Sequence, residues 1–168
     1  MTSNRPKIKV EKESHDVIVD VIVILILIAI WVYPAMNYLG MPDTIPIHFN
    51  AKGEADNWGA KNFIWMLPIT TTLTVGLIMF LNQYPHLHNY TVNITEDNAY
   101  KNYQLSCRVL RYANLYVVVL IILVTIEITQ KALGNDLNIL GIPFLIFTIL
   151  VPIVGIVYVL NYQQKINK

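Results

Sequence analysis

Residues 17–36 read VIVDVIVILILIAIWVYPAM, and this stretch decides the fold. Asp20 is its one charged residue. The helix of a soluble domain would show a polar stripe repeating every three or four positions. Here Val, Ile and Leu continue all the way round. About 20 such residues, at 1.5 Å each, cross a hydrocarbon core of about 30 Å. Three more apolar runs follow at residues 62–83, 110–130 and 139–162. No Asp, Glu, Lys or Arg lies between Asp20 and Asp43, Lys61 and Glu96, Arg111 and Glu127, or Asp136 and Lys165. Inside lipid the backbone must satisfy its own hydrogen bonds, so each span is expected to be a helix. The expected fold is an all-α membrane protein, a bundle of four transmembrane helices. The helices fall at about 17–36, 62–83, 96–131 and 139–162, flanked by tails at 1–16 and 163–168.

Composition agrees. Of 168 residues, 55% are hydrophobic and 14% charged, with a mean hydropathy of +0.48. An ordinary soluble domain has about 25% charged residues. A disordered chain would be poorer in apolar residues and richer in net charge. A net charge of +1 gives no basic face for nucleic acid. Cys107, the single cysteine, excludes an internal disulfide framework or a multi-cysteine metal site. The first apolar run is too long for a signal peptide and lacks an A-x-A cleavage pattern, so it reads as a retained helix.

Basic residues orient the bundle. Arg5, Lys7, Lys9, Lys12, Lys101, Arg108, Arg111, Lys165 and Lys168 fall on one side, against Lys52, Lys61 and Lys131 on the other. Nine against three places both termini and the middle connection in the cytoplasm. The sequons at Asn89 and Asn93 are then cytoplasmic and not glycan sites.

The connections differ in character. Residues 132–138 are short and make helices three and four an antiparallel hairpin. Residues 84–94 read as extended. Thr95 followed by Glu96 and Asp97 is a helix start, and no Gly or Pro interrupts the run to Lys131. One helix of about 36 residues is therefore expected, its first four turns projecting into the cytoplasm with an Asp97–Lys101 pair. The connection over residues 37–61 is unusual: two prolines and three glycines supply much specific turn chemistry. Ile45, Ile47 and Phe49 suggest an extended piece, and Lys52-Gly53 a turn. An ordered cap on the outer helix ends is expected.

Residues 39–61, LGMPDTIPIHFNAKGEADNWGAK, resemble the signature of a bacterial membrane domain, the domain of unknown function numbered 1648. The matching positions are Pro42, Ile45, Pro46, His48, Phe49, Asn50, Gly53, Asp56, Trp58, Gly59 and Lys61. Residues 90–111 also resemble the family's cytoplasmic stretch, and the whole likeness covers about residues 20–130. The resemblance extends to SdpI-type immunity proteins, in which this domain precedes a second membrane domain. It implies protection of a producing cell from a secreted toxic peptide, and a repressor held at the membrane on toxin binding. It also implies a bacterial inner-membrane protein, with Pro46, His48, Phe49, Asn50, Gly53, Asp56, Trp58 and Lys61 as the ligand-binding set. The implied partners are a secreted peptide outside, a cytoplasmic regulator inside, and the bilayer.

His48 and Asp56 also admit an enzyme reading, as a catalytic or zinc pair. No H-x-x-x-H spacing supports zinc, and hydrogen bonding within the loop explains both residues as well. His86 and His88 are spaced to chelate from a strand. No cofactor motif is found, and a transporter lacks the paired broken helices expected of one. Asp20 and Glu127 are the acids within or beside spans, where an ionisable group is costly; both are expected to reach water at helix ends. Pro34, Pro68 and Pro152 predict kinks. Thr70, Thr71, Thr74 and Thr148 are placed to hydrogen-bond across the bundle. A reporter active only outside the cytoplasm should be silent when fused after Lys168 and active when inserted beside Gly53; the reverse pattern would invert the orientation.

Overall fold

The computed structural model describes residues 5–167. It is mostly helical, in the order α1 (Ser14–Asn37), β1 (Thr44–Phe49), β2 (Ala55–Ala60), α2 (Met66–Leu81), α3 (Glu96–Ala132) and α4 (Ile142–Ile166). All four helical segments are long and apolar enough to cross a membrane, as in a multi-pass membrane protein.

Local chemistry sets the helix ends. α1 starts at Ser14, ahead of the apolar run, because Glu13 and Asp16 form a reciprocal capping box. A 3-10 turn over Lys61–Trp65 precedes α2. Pro68 therefore lies in the first turn of α2, where its missing N–H costs nothing, and the expected kink has no basis there. α3 is one unbroken helix of 37 residues, opened by a capping box between Thr95 and Asn98. α4 begins at Ile142 and not at Ile139, since Pro143 favours a first turn.

α1 and α3 share the largest helix–helix interface, α2 packs on both, and α4 touches mainly α3. Val23, Ile30, Val75 and Val118 form the buried centre where α1, α2 and α3 meet. Gln130 Nε2 donates to Tyr33 Oη at 2.5 Å, and Trp31 Nε1 donates to Thr72 Oγ1 at 3.0 Å. The threonines otherwise bond back into their own helices: Thr70 to Met66, Thr71 to Leu67, Thr74 to Thr70 and Thr148 to Phe144. They do not join helices as expected, because the carbonyl four residues back is nearer than any neighbour.

The first turns of α3 do not project freely. Residues 5–13 and 84–94 wrap them, burying Ile94, Ala99 and Tyr103 with Ile8, Val10, Tyr90 and Val92 around them. Tyr103 Oη donates to Pro6 O at 2.9 Å, and Arg5 donates to the carbonyls of His86 and His88. Residues 84–94 hold a 3-10 turn at Pro85–Leu87 rather than an extended strand. Burial pushes the Tyr90 phenol up to about 12, so it stays protonated and donates to Pro85 O at 2.7 Å. On the α4 side, Asn167 and Gln163 hydrogen-bond Asn102. Lys101 forms no ion pair with Asp97 or any other carboxylate among the described residues.

β1 and β2 form an antiparallel hairpin at the opposite end of the bundle. Its turn approaches the α3–α4 connection closely. Gly53 has φ +80°, and a Cβ there would lie 2.2 Å from Asn138 Oδ1 and 2.9 Å from the Gly141 nitrogen. Gly53→Ala should therefore lower stability by about 2 kcal/mol or more, from the left-handed backbone strain alone, read as a fall in thermal midpoint in detergent. An unchanged midpoint would mean that the turn neither holds a left-handed backbone at Gly53 nor docks against Asn138.

Candidate functional site

The hairpin motif divides into residues that build it and residues that it displays. Ile45 is buried with Met41, Ile64 and Ile128, and Phe49, Tyr38 and Trp65 pack against that cluster. Pro46 is buried opposite Trp58. The register slips between Pro46 and His48, leaving Ile47 unpaired as a bulge. Ile47 lies over Gly59, where a Cβ would come within 2.9 Å of its side chain. Asn50 organises the turn: its Oδ1 accepts from the N–H groups of Lys52 and Glu54, and its Nδ2 donates to Glu54 Oε2. The Lys61 ammonium donates to Met41 O at 3.2 Å and sits 4.7 Å from the centre of the Tyr38 ring. Tyr38 and Asn62 share a further hydrogen bond. Pro46, Phe49, Asn50, Gly53 and Lys61, expected as ligand contacts, thus have structural work that explains each of them.

His48, Asp56 and Trp58 remain, and Asn57, which lies between the last two and is not part of the motif, is exposed beside them. His48 Nδ1 lies 2.5 Å from Asp56 Oδ1 across the strands, and both side chains are exposed. Trp58 is 54% exposed. The display surface is an oriented imidazole, a carboxylate, an amide and an indole on one ribbon. His86 and His88 do not converge: His88 bonds Ser106 and Leu81 O, while His86 sets its edge against Tyr84. No cluster of three metal-capable side chains exists among the described residues.

The two acids expected within or beside the spans, Asp20 and Glu127, occupy different settings. Arg111 Nε donates to Asp20 Oδ1 at 2.8 Å, and its Nη1 donates to Asp16 Oδ1 at 3.0 Å. Lys12 pairs with Asp20 at 2.8 Å, and Arg108 with Glu13 at 2.7 Å. Arg111 is 6% exposed and Asp16 3%. A guanidinium fork matching two carboxylates suits such a site. Lys12, Asp16, Asp20 and Arg111 line a cavity of about 410 Å³ between α1, α2 and α3. Reading the sequence one acid at a time missed it. The signal was Asp16 and Asp20, four residues apart on one helix, facing Arg108 and Arg111, three apart on another; both spacings put a pair on one helical face.

Glu127 does not reach water as expected, being 0% exposed. Its Oε2 accepts from the Ile139 N–H at 2.8 Å, and Lys131 lies 3.5 Å from Oε1. The carboxylate thereby anchors the chain entering α4, and Lys131 reaches on over the Phe49 ring at 6.0 Å.

Residues 25–72 match the family model described as Domain of unknown function (DUF1648). That range holds most of α1, the whole hairpin and the first turns of α2. The chain is also 28% identical over 144 residues to an uncharacterized protein of Archaeoglobus fulgidus, covering 77% of this chain and 79% of the relative. No solved structure matches it.

Removing one partner from a buried ion pair typically costs about 3–5 kcal/mol. Arg111→Gln should therefore destabilise the protein strongly, and Asp16→Asn added to it should cost little more. Thermal unfolding of both single variants and the double variant in detergent measures this; strictly additive losses would show that the two residues are not coupled.

Proposed function

We propose that this chain is a membrane-embedded recognition protein of the immunity-like kind. Its hairpin faces a secreted peptide, and its opposite end faces a cytoplasmic regulator. The observation that carries this reading is the division of labour in the hairpin. Most of the motif locks the ribbon onto α1, α3 and the α3–α4 connection, and His48, Asp56, Asn57 and Trp58 are left with no bundle-packing task. A preorganised polar and aromatic surface binds at low ordering cost, and exposed aromatics are favoured anchors in such surfaces.

The orientation, in a bacterial inner membrane with both termini inside, draws support from the separation of basic residues. Arg5, Lys12, Arg108 and Arg111 gather at the tail end of the bundle, and Lys52, Lys61 and Lys131 at the hairpin end. The regulator's surface would be the composite of α3's first turns, the wrapped tail and the end of α4. An enzyme using His48 and Asp56 is the second reading, favoured by their 2.5 Å contact. It is weakened by the setting: the pair stands on an open ribbon and not in a cleft.

A photoreactive residue at Asn57 should capture a secreted peptide in the native cell, while one at Phe147 on α4 should not. His48→Ala with Trp58→Ala should lower the yield at least about tenfold, the scale of one hot-spot contact, without lowering the thermal midpoint. Equal capture at both positions, or an unaffected yield, would remove the hairpin as the recognition element.

A further inference from the structure

α3 and α4 are held together at two places and stand apart between them. At one, Tyr116 Oη donates to Thr148 O at 2.8 Å, and the Tyr116 and Phe147 rings lie 5.9 Å apart. That carbonyl is free because Pro152, four residues on, has no N–H to offer it. At the other, Gln163 bonds Thr91 and Asn102, and Asn167 bonds Asn98. Between these contacts runs a groove of about 1030 Å³. Val109, Ala113 and Ile156 give it apolar walls, and Gly155 lies in it with nothing within 4 Å of where a Cβ would stand. A glycine inside a helix costs about 1 kcal/mol against alanine, and no helix packing in this chain requires this one.

The two ends of the groove differ. Its far wall is apolar, while Lys101, Arg108 and His15 line its mouth beside the ion-pair cluster. Arg108 is compensated by Glu13; Lys101 has no ion-pair partner among the described residues. Where Val109, Ala113, Gly155 and Ile156 wall it, the groove offers water no polar side chain, and a buried water needs two to four polar partners. Left empty, it forfeits the dispersion contacts of its whole lining.

We propose that this groove is a binding site for one anionic phospholipid, with its acyl chains between α3 and α4 and its phosphate at Lys101 and Arg108. The apolar length, the open space at Gly155 and the uncompensated charge at the mouth all match that amphiphile. A helix from a second copy would match the walls but leave Lys101 without a counter-charge.

The test is native mass spectrometry of the full-length protein, extracted from vesicles of equal phosphatidylglycerol and phosphatidylcholine. The wild type should retain one phosphatidylglycerol per chain. Lys101→Gln should reduce the preference for phosphatidylglycerol about fivefold, the size expected of one basic residue beside an anionic headgroup. Gly155→Leu should abolish retention of both lipids while leaving the thermal midpoint in lipid-free detergent unchanged or higher. Equal retention of the two lipids, or retention unaffected by Gly155→Leu, would overturn the site. So would an oxidised Gly155→Cys variant that cross-links two copies in lipid, since a second chain would then occupy the groove.

Discussion

Hydrocarbon offers no partner to a free N–H or C=O, and much of this molecule follows from that constraint. It makes each of the four apolar runs a helix. It turns the threonine hydroxyls of α2 back onto their own carbonyls. Where Pro152 leaves a carbonyl open, Tyr116 from α3 supplies the donor. Where the chain turns towards α4, the carboxylate of Glu127 takes the Ile139 N–H. The costliest groups follow the same logic: the Asp16 and Asp20 carboxylates are met by the fork of Arg111 at the start of α1.

The two ends of the bundle are finished differently. At the tail end, ion pairs and a small apolar cluster bind α1, α3 and the flanking segments into one surface. At the hairpin end, a bulged ribbon is fastened by Ile45 below, Lys61 beside and Gly53 at its tip. α4 stands outside this scheme, bound mainly to α3 and exposed to its surroundings along most of its length.

Legibility in the sequence tracked the distance over which each feature is decided. The spans were legible because a run such as residues 139–162 is apolar on every face. The start of α3 was legible because Thr95, Glu96 and Asp97 carry it within three positions. The hairpin turn was legible in Lys52-Gly53. What was hidden was pairing across the chain: Arg111 meets Asp16 from 95 positions away, and nothing local to either residue names the other. The burial of Glu127 was hidden for the same reason, since its partner belongs to the next connection. The hairpin was legible as a motif, but the pattern does not distinguish Asn50, which shapes its turn, from Trp58, which stands exposed on β2.

The hairpin is a rigid platform fixed to the helix ends and not a tether between two spans. Amide hydrogen exchange of the whole protein in lipid nanodiscs tests this most directly. The Gly53 N–H bonded to Asn50 O, the Asn50 N–H bonded to Glu54 O and the Lys61 N–H bonded to Asp43 O should all be protected. Their protection should fall together when Gly53 is replaced by alanine. Exchange of these three amides at the rate of an unstructured peptide would contradict it.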